Sequence, residues 1–408
     1  VSLQEAPRLS PFATAVRRLS EPRTIGWFGA LCGLLAFWLA LPPWTLRDLA
    51  GPIAAGFVGV ACGLAVVTRG QRKLGWWAIG LGVLGPLGAV WLQTKDADTL
   101  DSILTAGVLA STLRFATPLA FAAMGGLVSE RSGVVNIGLE GMMLIGAFFG
   151  LWAADWGGTW VVGVLVAMVS GGVLALIHAF FSIHLRADQI VSGFAVNFLA
   201  LGLTGYLFSA LYPDGIPSGI SRVPNVDLGF LDGIPAVGDF LADMLGDLNL
   251  LVWVMFGAVI LVWIVLFKTP VGLRVRSVGE HPRAAETVGI SVYGVRYAAV
   301  TASGVLAALG GAFLSIGFVG TFAENMTSGR GFIALAAMIF GKWLPFPAFA
   351  ATLLFGFGFA LAIPLQREAG VSENIISTLP YVLTLIALVG LIGRSIPPAA
   401  DGKPYVKQ

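Results

Sequence analysis

Charge is scarce in this chain. Asp, Glu, Lys and Arg make up 11% of its 408 residues while 57% are hydrophobic, and the mean hydropathy is +0.87. That balance excludes an ordinary soluble domain, where charged residues supply about 25%. A net charge of +2 gives no sign of a nucleic-acid partner. Cysteine is nearly absent, and Cys32 and Cys62 both lie in apolar runs, which argues against a disulfide framework or a cysteine metal site. His178, His184 and His281 have no partners at metal-ligand spacing. The G-x-x-x-x-G-K-[ST] loop that cradles nucleotide phosphates is missing too. The chain therefore hydrolyses no nucleotide by that route, and no metal or cofactor of its own is expected.

What remains is apolar sequence in long runs. At roughly 20 residues per crossing, the sequence predicts an all-α, polytopic membrane bundle of about 12 segments. They lie near 25–44, 49–68, 74–92, 102–127, 137–154, 159–183, 189–211, 249–267, 293–317, 330–342, 346–366 and 374–393. The tenth is too short to cross unaided and reads as a half-helix. The first run lacks a small-residue cleavage site and belongs to a close series of three, so it reads as a retained helix rather than a signal peptide. Alternating the connections puts 18 of the 24 Lys and Arg on one side and five on the other, with Arg114 inside a span. By the positive-inside rule both termini are expected in the cytoplasm. Glycine pairs spaced by four, Gly29 with Gly33 and Gly59 with Gly63, suit close helix approach, although glycine is common in membrane helices generally.

The segment ERSGVVNIGLEGMMLIGA, Glu130 to Ala147, interrupts this pattern with Glu130, Arg131, Asn136 and Glu140 among small residues. Irregular polar backbone survives at membrane depth only where protein or a water-filled cavity satisfies it, so the break points to a bundle interior or a pathway. Arg114 is costly inside a span unless paired or wetted. Its candidate partners are Glu140 and Glu130. Asn136 and Glu140 sit where a helix begins and read either as caps or as pathway lining; their separation of four is one too many for a capping box. Asn197 reads as an interhelical hydrogen-bonding residue or as pathway lining. Phe115, Phe194 and Phe198 read as packing or as stacking surfaces.

Two connections are long. The one at 212–248 is rich in Pro, Gly and Asp and is expected outside, as a solvated loop or a docking surface for a secreted partner. Glu324, Asn325 and Arg330 fall on that side as well, as gate, partner contact or solvated surface. The loop from Thr269 to Arg296 is expected inside. It reads as a basic entry, a turn around Gly279 to Pro282, a short helix from about Arg283 to Val288, and a stop at Gly289. Ala284 and Ala285 at its centre are too small to anchor in lipid and suit insertion into a groove on another protein.

The arrangement G-x-x-N-I-G-x-E-G-x-x-x-x-G-A formed by Gly133, Asn136, Ile137, Gly138, Glu140, Gly141, Gly146 and Ala147 resembles the transmembrane subunit of ABC importers of the branched-chain amino acid, ribose and simple-sugar class. The loop with Gly279, Arg283, Ala284, Ala285, Glu286, Gly289 and Ile290 resembles the coupling motif of such permeases. The stretches ADQIVSGFAVNFLALGLTGYL and GRGFIALAAMIFGKW make the nucleoside permeases the nearest likeness. The resemblance covers about 102–395, and residues 1–95, with three additional spans, depart from it.

The resemblance implies a permease core over 96–395 and a cytoplasmic tail over 396–408, in a bacterial cytoplasmic membrane. The expected partners are a separate ABC ATPase that uses ATP and Mg, a second, non-identical permease, and a substrate-binding lipoprotein or periplasmic protein. A nucleoside or related sugar would pass by alternating access along Arg114, Phe115, Asn136, Glu140 and Asn197, with Arg114 offering a fork to a ribose or purine edge. An ion-coupled secondary transporter would need a midplane acid and often shows inverted repeats; no repeat is evident and the docking loop has no role in it. An integral-membrane transferase would want clustered Asp or His at one face, which the scattered acids of 212–248 do not supply.

Overall fold

The computed structural model describes residues 21–38, 50–93, 105–217, 219–230, 238–368 and 395–407. The chain forms two compact units, Val1–Thr105 and Ala106–Gln408. In the first, α1 (Pro22–Trp38), α2 (Ala50–Thr68) and α3 (Arg72–Gln93) pack on one another. Their contact runs through backbone: a Cβ on Gly29 would stand 3.1 Å from the Gly59 carbonyl oxygen, so only glycine permits this approach of α1 to α2.

The second unit is helical apart from one short hairpin-like pair. Its elements are α4 (Ala106–Glu130), α5 (Leu139–Gly157), α6 (Trp160–Ala179), α7 (Gln189–Leu211), β1 (Asn225–Asp227), α8 (Gly238–Leu245), β2 (Asp247–Asn249), α9 (Leu250–Lys268), α10 (Pro270–Glu280), α11 (Pro282–Thr287), α12 (Val292–Ala312), α13 (Arg330–Phe340) and α14 (Pro345–Glu368). The predicted short helix in the 269–296 loop is α11. Polar caps start the helices where the apolar pattern resumes: Asp188 accepts from the amides of Ile190 and Val191, and Asn249 from that of Leu251. The strands are antiparallel, with Val226 opposite Leu248.

The core is built on α4, α5 and α12, and α12 lies against α4, α5 and α6. By contrast α6, α7 and α9 expose large apolar side chains such as Val169, Phe198 and Leu261, as expected where lipid or another membrane subunit is the neighbour. Beyond their α-helical ends, α6 and α12 continue as wider π turns, Phe180–His184 and Phe313–Val319. Such a turn frees carbonyls, and the Asn249 amide donates to that of Gly317 at 3.0 Å and to that of Val223 at 2.9 Å.

Among the described residues, 7 helices are long and apolar enough to cross a membrane. The expected number of about 12 is not reached. The expected span near 374–393 lies outside the described residues, α1, α3 and α5 are not among the seven, and α13 has only 11 residues.

The tightest crossing is that of α5 with α12. A Cβ on Gly311 would land on the Met143 carbonyl oxygen and 2.8 Å from the Ala147 amide nitrogen. Both are backbone, so neither can rotate away. Gly311→Leu should cost at least the 1–3 kcal/mol of ordinary overpacking and lower the melting temperature of the detergent-purified chain. Gly257→Leu, at a position on α9 with nothing within 4 Å, should not. Equal melting of the two variants would show that this crossing is not a limiting contact.

Candidate functional site: the polar break and the half-helix

The helix α4 stops at Glu130, the chain turns through Gly133 (φ +85°), and α5 starts at Leu139. The amides of Arg131, Ser132, Gly133 and Val134 turn back on backbone carbonyls of the α4 end, and beyond them side chains meet the backbone. Ser129 donates to the Val134 carbonyl at 2.7 Å, the Val135 amide donates to Gln189 Oε1 at 2.7 Å, and a ring nitrogen of His178 lies 3.1 Å from the Val135 carbonyl. Asn136 Oδ1 accepts from the Gly138 amide, and its Nδ2 donates to Ser303 Oγ at 2.9 Å. Asn197 spans from α7, donating to the Ile137 carbonyl at 3.0 Å and accepting from the Gly141 amide at 2.8 Å. A membrane interior demands this accounting, because no bulk water is there to do it.

Glu140 serves a different helix. Its Oε1 accepts from the Gly329 amide at 2.7 Å and its Oε2 from the Gly331 amide at 2.5 Å. These are the open N–H groups at the start of α13, where Gly329 is the cap residue and offers no side chain. The first turns of α5 and α13 thus meet at one carboxylate, where the positive ends of both helices favour negative charge. The turn leading into α13 holds Asn325 and Ser328 at φ +55° and +46°, a conformation that side chains other than glycine adopt at some cost.

The far end of α13 is gripped by the same break. Trp343 donates its indole N–H to Glu130 Oε2 at 2.6 Å, while its carbonyl accepts from Arg131 Nε and Nη2 at 2.9 and 2.7 Å. Lys342 and Trp343 both sit at φ +54°, a pair of left-handed residues held by these bonds.

Beside the break lies a cavity of about 300 Å³ whose lining includes Glu140, Asn197, Asn325, Phe194, Phe198 and Phe332. The rings of Phe194 and Phe332 are 6.1 Å apart and tilted by 32°. Of the sequence-predicted residues, Glu140 and Asn197 therefore share a cavity. Asn136 is buried near them without lining it. Arg114 and Phe115 are elsewhere. Arg114 Nη2 donates to the Asp247 carbonyl at 2.8 Å and lies 3.5 Å from Asp247 Oδ2, so the expected ion pair with Glu140 or Glu130 is replaced by one with the β2 strand. The Asp247 side chain is 78% exposed and that of Arg114 29%, and this pairing is what offsets the cost of a charge within a span. Phe115 packs edge-on against Phe318 at 5.7 Å and against Phe359 at 6.1 Å.

The 269–296 loop is also redistributed. Gly279 packs its Cα against the Arg131 carbonyl and the Gly133 amide, where a Cβ would collide with backbone. Ala285 is buried with Val278, Val292 and Tyr405. Their small size thus serves packing inside this chain. Arg283, Ala284, Thr287, Val288 and Gly289 are exposed, and Gly289 (φ +83°) ends the turn after α11. Glu286 accepts from the Tyr405 hydroxyl. Sequence reasoning missed Trp343, Ser303 and the 399–405 segment.

Two expectations follow from this geometry. Glu140→Gln keeps one acceptor but turns an N–H₂ toward a backbone N–H, so it should destabilise the chain by about 1.5–3 kcal/mol, the range for hydrogen bonds to charged groups. An unshifted melting temperature in detergent would refute the grip. Asp401, facing Glu130 of α4 and Arg296 of α12, is raised to about 7, chiefly by burial. A carboxyl raised on folding binds more protons in the docked state between its ordinary value near 4 and 7. Docking should therefore weaken as pH rises through that window and stay constant above it. Hydrogen exchange of the Ala400 amide, which donates to the Gly279 carbonyl at 2.8 Å, measures this; Asp401→Asn should abolish the slope, and a slope that survives would exclude Asp401 as its source.

The family model described as the branched-chain amino acid transport system, permease component, matches residues 108–389. The guanosine ABC transporter permease protein NupQ of Bacillus subtilis is 43% identical over 321 residues, covering 74% of this chain and 96% of the relative. The nucleoside ABC transporter permease protein NupC of Lactococcus lactis is 40% identical over 313 residues, with the same shares. The putative glucose ABC transporter permease protein TsgC13 of Haloferax volcanii is 35% identical, over 69% of this chain and 91% of its own. No solved structure matches. The chain belongs to the permease-component family of branched-chain amino acid transport systems, as a membrane transport subunit rather than an enzyme.

Proposed function

We propose that this permease passes nucleosides by alternating access through the cavity beside the polar break. The observation that carries the reading is the cavity itself: aromatic faces from Phe194, Phe198 and Phe332 stand beside the side-chain amide of Asn325. Flat heteroaromatic rings with hydrogen-bonding edges suit such a lining. The names of the two relatives at 40–43% identity support the same substrate class. The cavity borders a face of α7 on which Phe198 is 70% exposed. A lining that holds a carboxylate and two amides is costly against lipid, which supports a second permease subunit, non-identical to this one, as the cover.

The remaining parts follow from the family reading. A separate ABC ATPase uses ATP and Mg and docks on the exposed face of α11, at Arg283, Ala284 and Thr287. A substrate-binding lipoprotein or periplasmic protein delivers cargo on the side of the 212–248 loop. The termini and α11 face the cytoplasm of a bacterial cell, in keeping with the excess of Lys and Arg there.

Proteoliposomes carrying the complete transporter provide the test. ATP-driven uptake of labelled guanosine should exceed that of glucose at least tenfold, and Phe332→Ala should lower guanosine uptake several-fold without loss of assembly. Preferential glucose uptake, as the haloarchaeal relative's name would lead one to look for, would overturn the nucleoside assignment.

A further inference from the structure

The last described segment of the chain, residues 395–407, is not a loose end. Ser395 Oγ donates to the Ile339 carbonyl in the last turn of α13 at 2.9 Å. The Ala400 amide donates to the Gly279 carbonyl at 2.8 Å, and a Cβ on Gly133 would stand 3.1 Å from the Ala400 carbonyl oxygen, so the segment lies directly over the polar break. Arg296, buried in α12, donates from Nη1 to the Lys403 carbonyl at 3.2 Å. At the far end the Tyr405 ring is buried with Val278 of α10, Ala285 of α11 and Val292 of α12, at 5.6 Å from the Tyr293 ring, and its hydroxyl donates to Glu286 of α11. Internal bonds keep the segment in shape: Asp401 N to the Pro398 carbonyl at 3.0 Å and Lys403 Nζ to the Ala399 carbonyl at 2.7 Å.

One short segment thus touches the half-helix, the break and α11. The helix α11 has 6 residues and a single buried side chain, Ala285, so little of its own surface ties it to the bundle. Of the contacts that do, the Tyr405 ring and hydroxyl fasten both its buried alanine and its Glu286. Packing of this kind transmits displacement because close-packed groups cannot yield independently.

We propose that residues 395–405 form a strut that carries displacement of α11 to the polar break and α13, with Tyr405 as its positioning residue. The proposal rests on the reading of α11 as the ATPase docking helix. Tyr405 touches neither cargo nor nucleotide; it acts through Glu286 and Ala285.

The test is the number of ATP molecules hydrolysed per guanosine imported by the reconstituted transporter. Tyr405→Ala removes the ring and the hydroxyl and should raise this ratio at least tenfold, with the hydrolysis rate within twofold of the unmodified transporter. Tyr405→Phe keeps the ring, folds by the same packing, and should raise it about threefold. Unchanged ratios in both variants, or uptake and hydrolysis falling in proportion, would overturn the strut and leave the segment a structural seal. Ala284→Trp, on the exposed face of α11, separates the two levels. Loss of ATPase co-purification in this variant together with normal ratios in the Tyr405 variants sinks the strut alone. Full ATPase binding and coupling in Ala284→Trp sinks the docking reading beneath it. Guanosine uptake by the unmodified transporter is the control on the substrate assignment.

Discussion

The structure of the second unit turns on one constraint: a helix of 11 residues packs in the bundle on a face formed by Gly331, Ala334, Ala337 and Met338, and both of its ends need partners for their open backbone groups. The break between α4 and α5 closes both. Glu140 takes two amides at the start of α13, and Glu130 with Arg131 takes the indole and the carbonyl of Trp343 beyond its end. Because an α-helix rises about 1.5 Å per residue, α13 is roughly 16 Å long, and a stretch from residue 130 to 140 that is partly extended can span it.

This arrangement changes what the polar residues are for. Glu140 uses both oxygens on α13, Asn197 uses both ends of its amide on the break, and Asn136 is spent on Gly138 and Ser303. If the cavity takes cargo as proposed, the aromatic faces and the Asn325 side chain are what it would meet, more readily than these committed groups. Weak, face-dominated contact suits a carrier, since binding the cargo equally in every state accelerates nothing and tight binding delays release.

Much of this was legible in the chain, and the limit is physical. Polar residues inside apolar runs must be paired, so the break at 130–147 and the short segment near 330–342 could be located from composition alone. The partners could not. When a carboxylate binds backbone amides of Gly329 and Gly331, the partner leaves no mark in residue type, and a separation of about 190 positions places it beyond any local pattern. Arg114 shows the same limit: pairing is expected of a cation in an apolar run, but its partner is Asp247 of β2, 133 positions away, rather than Glu140 or Glu130. Gly279 and Ala285 mark another limit. Smallness signals close approach, but the approaching surface is the chain's own backbone at Arg131 and the Tyr405 ring.

The same grip limits how the bundle can change shape. A helix whose two ends are bonded to one eleven-residue stretch, Glu130 to Glu140, cannot slide along its axis without breaking either the Glu140 or the Glu130 bonds, and both carboxylates are buried, so either set is costly to leave unmade. Motion that preserves both is rotation of α13 and the break together as one body. The contacts at its edges fit such a unit: Gly331 against the Glu140 backbone, the left-handed pair Lys342 and Trp343 that ends α13, and the Ser395 contact at Ile339 all travel with it. Gln189 and Asn197 of α7 are bonded to the break as well, so the cavity between Phe332 on α13 and Phe194 on α7 opens or narrows only by a pivot of the gripped unit about those bonds.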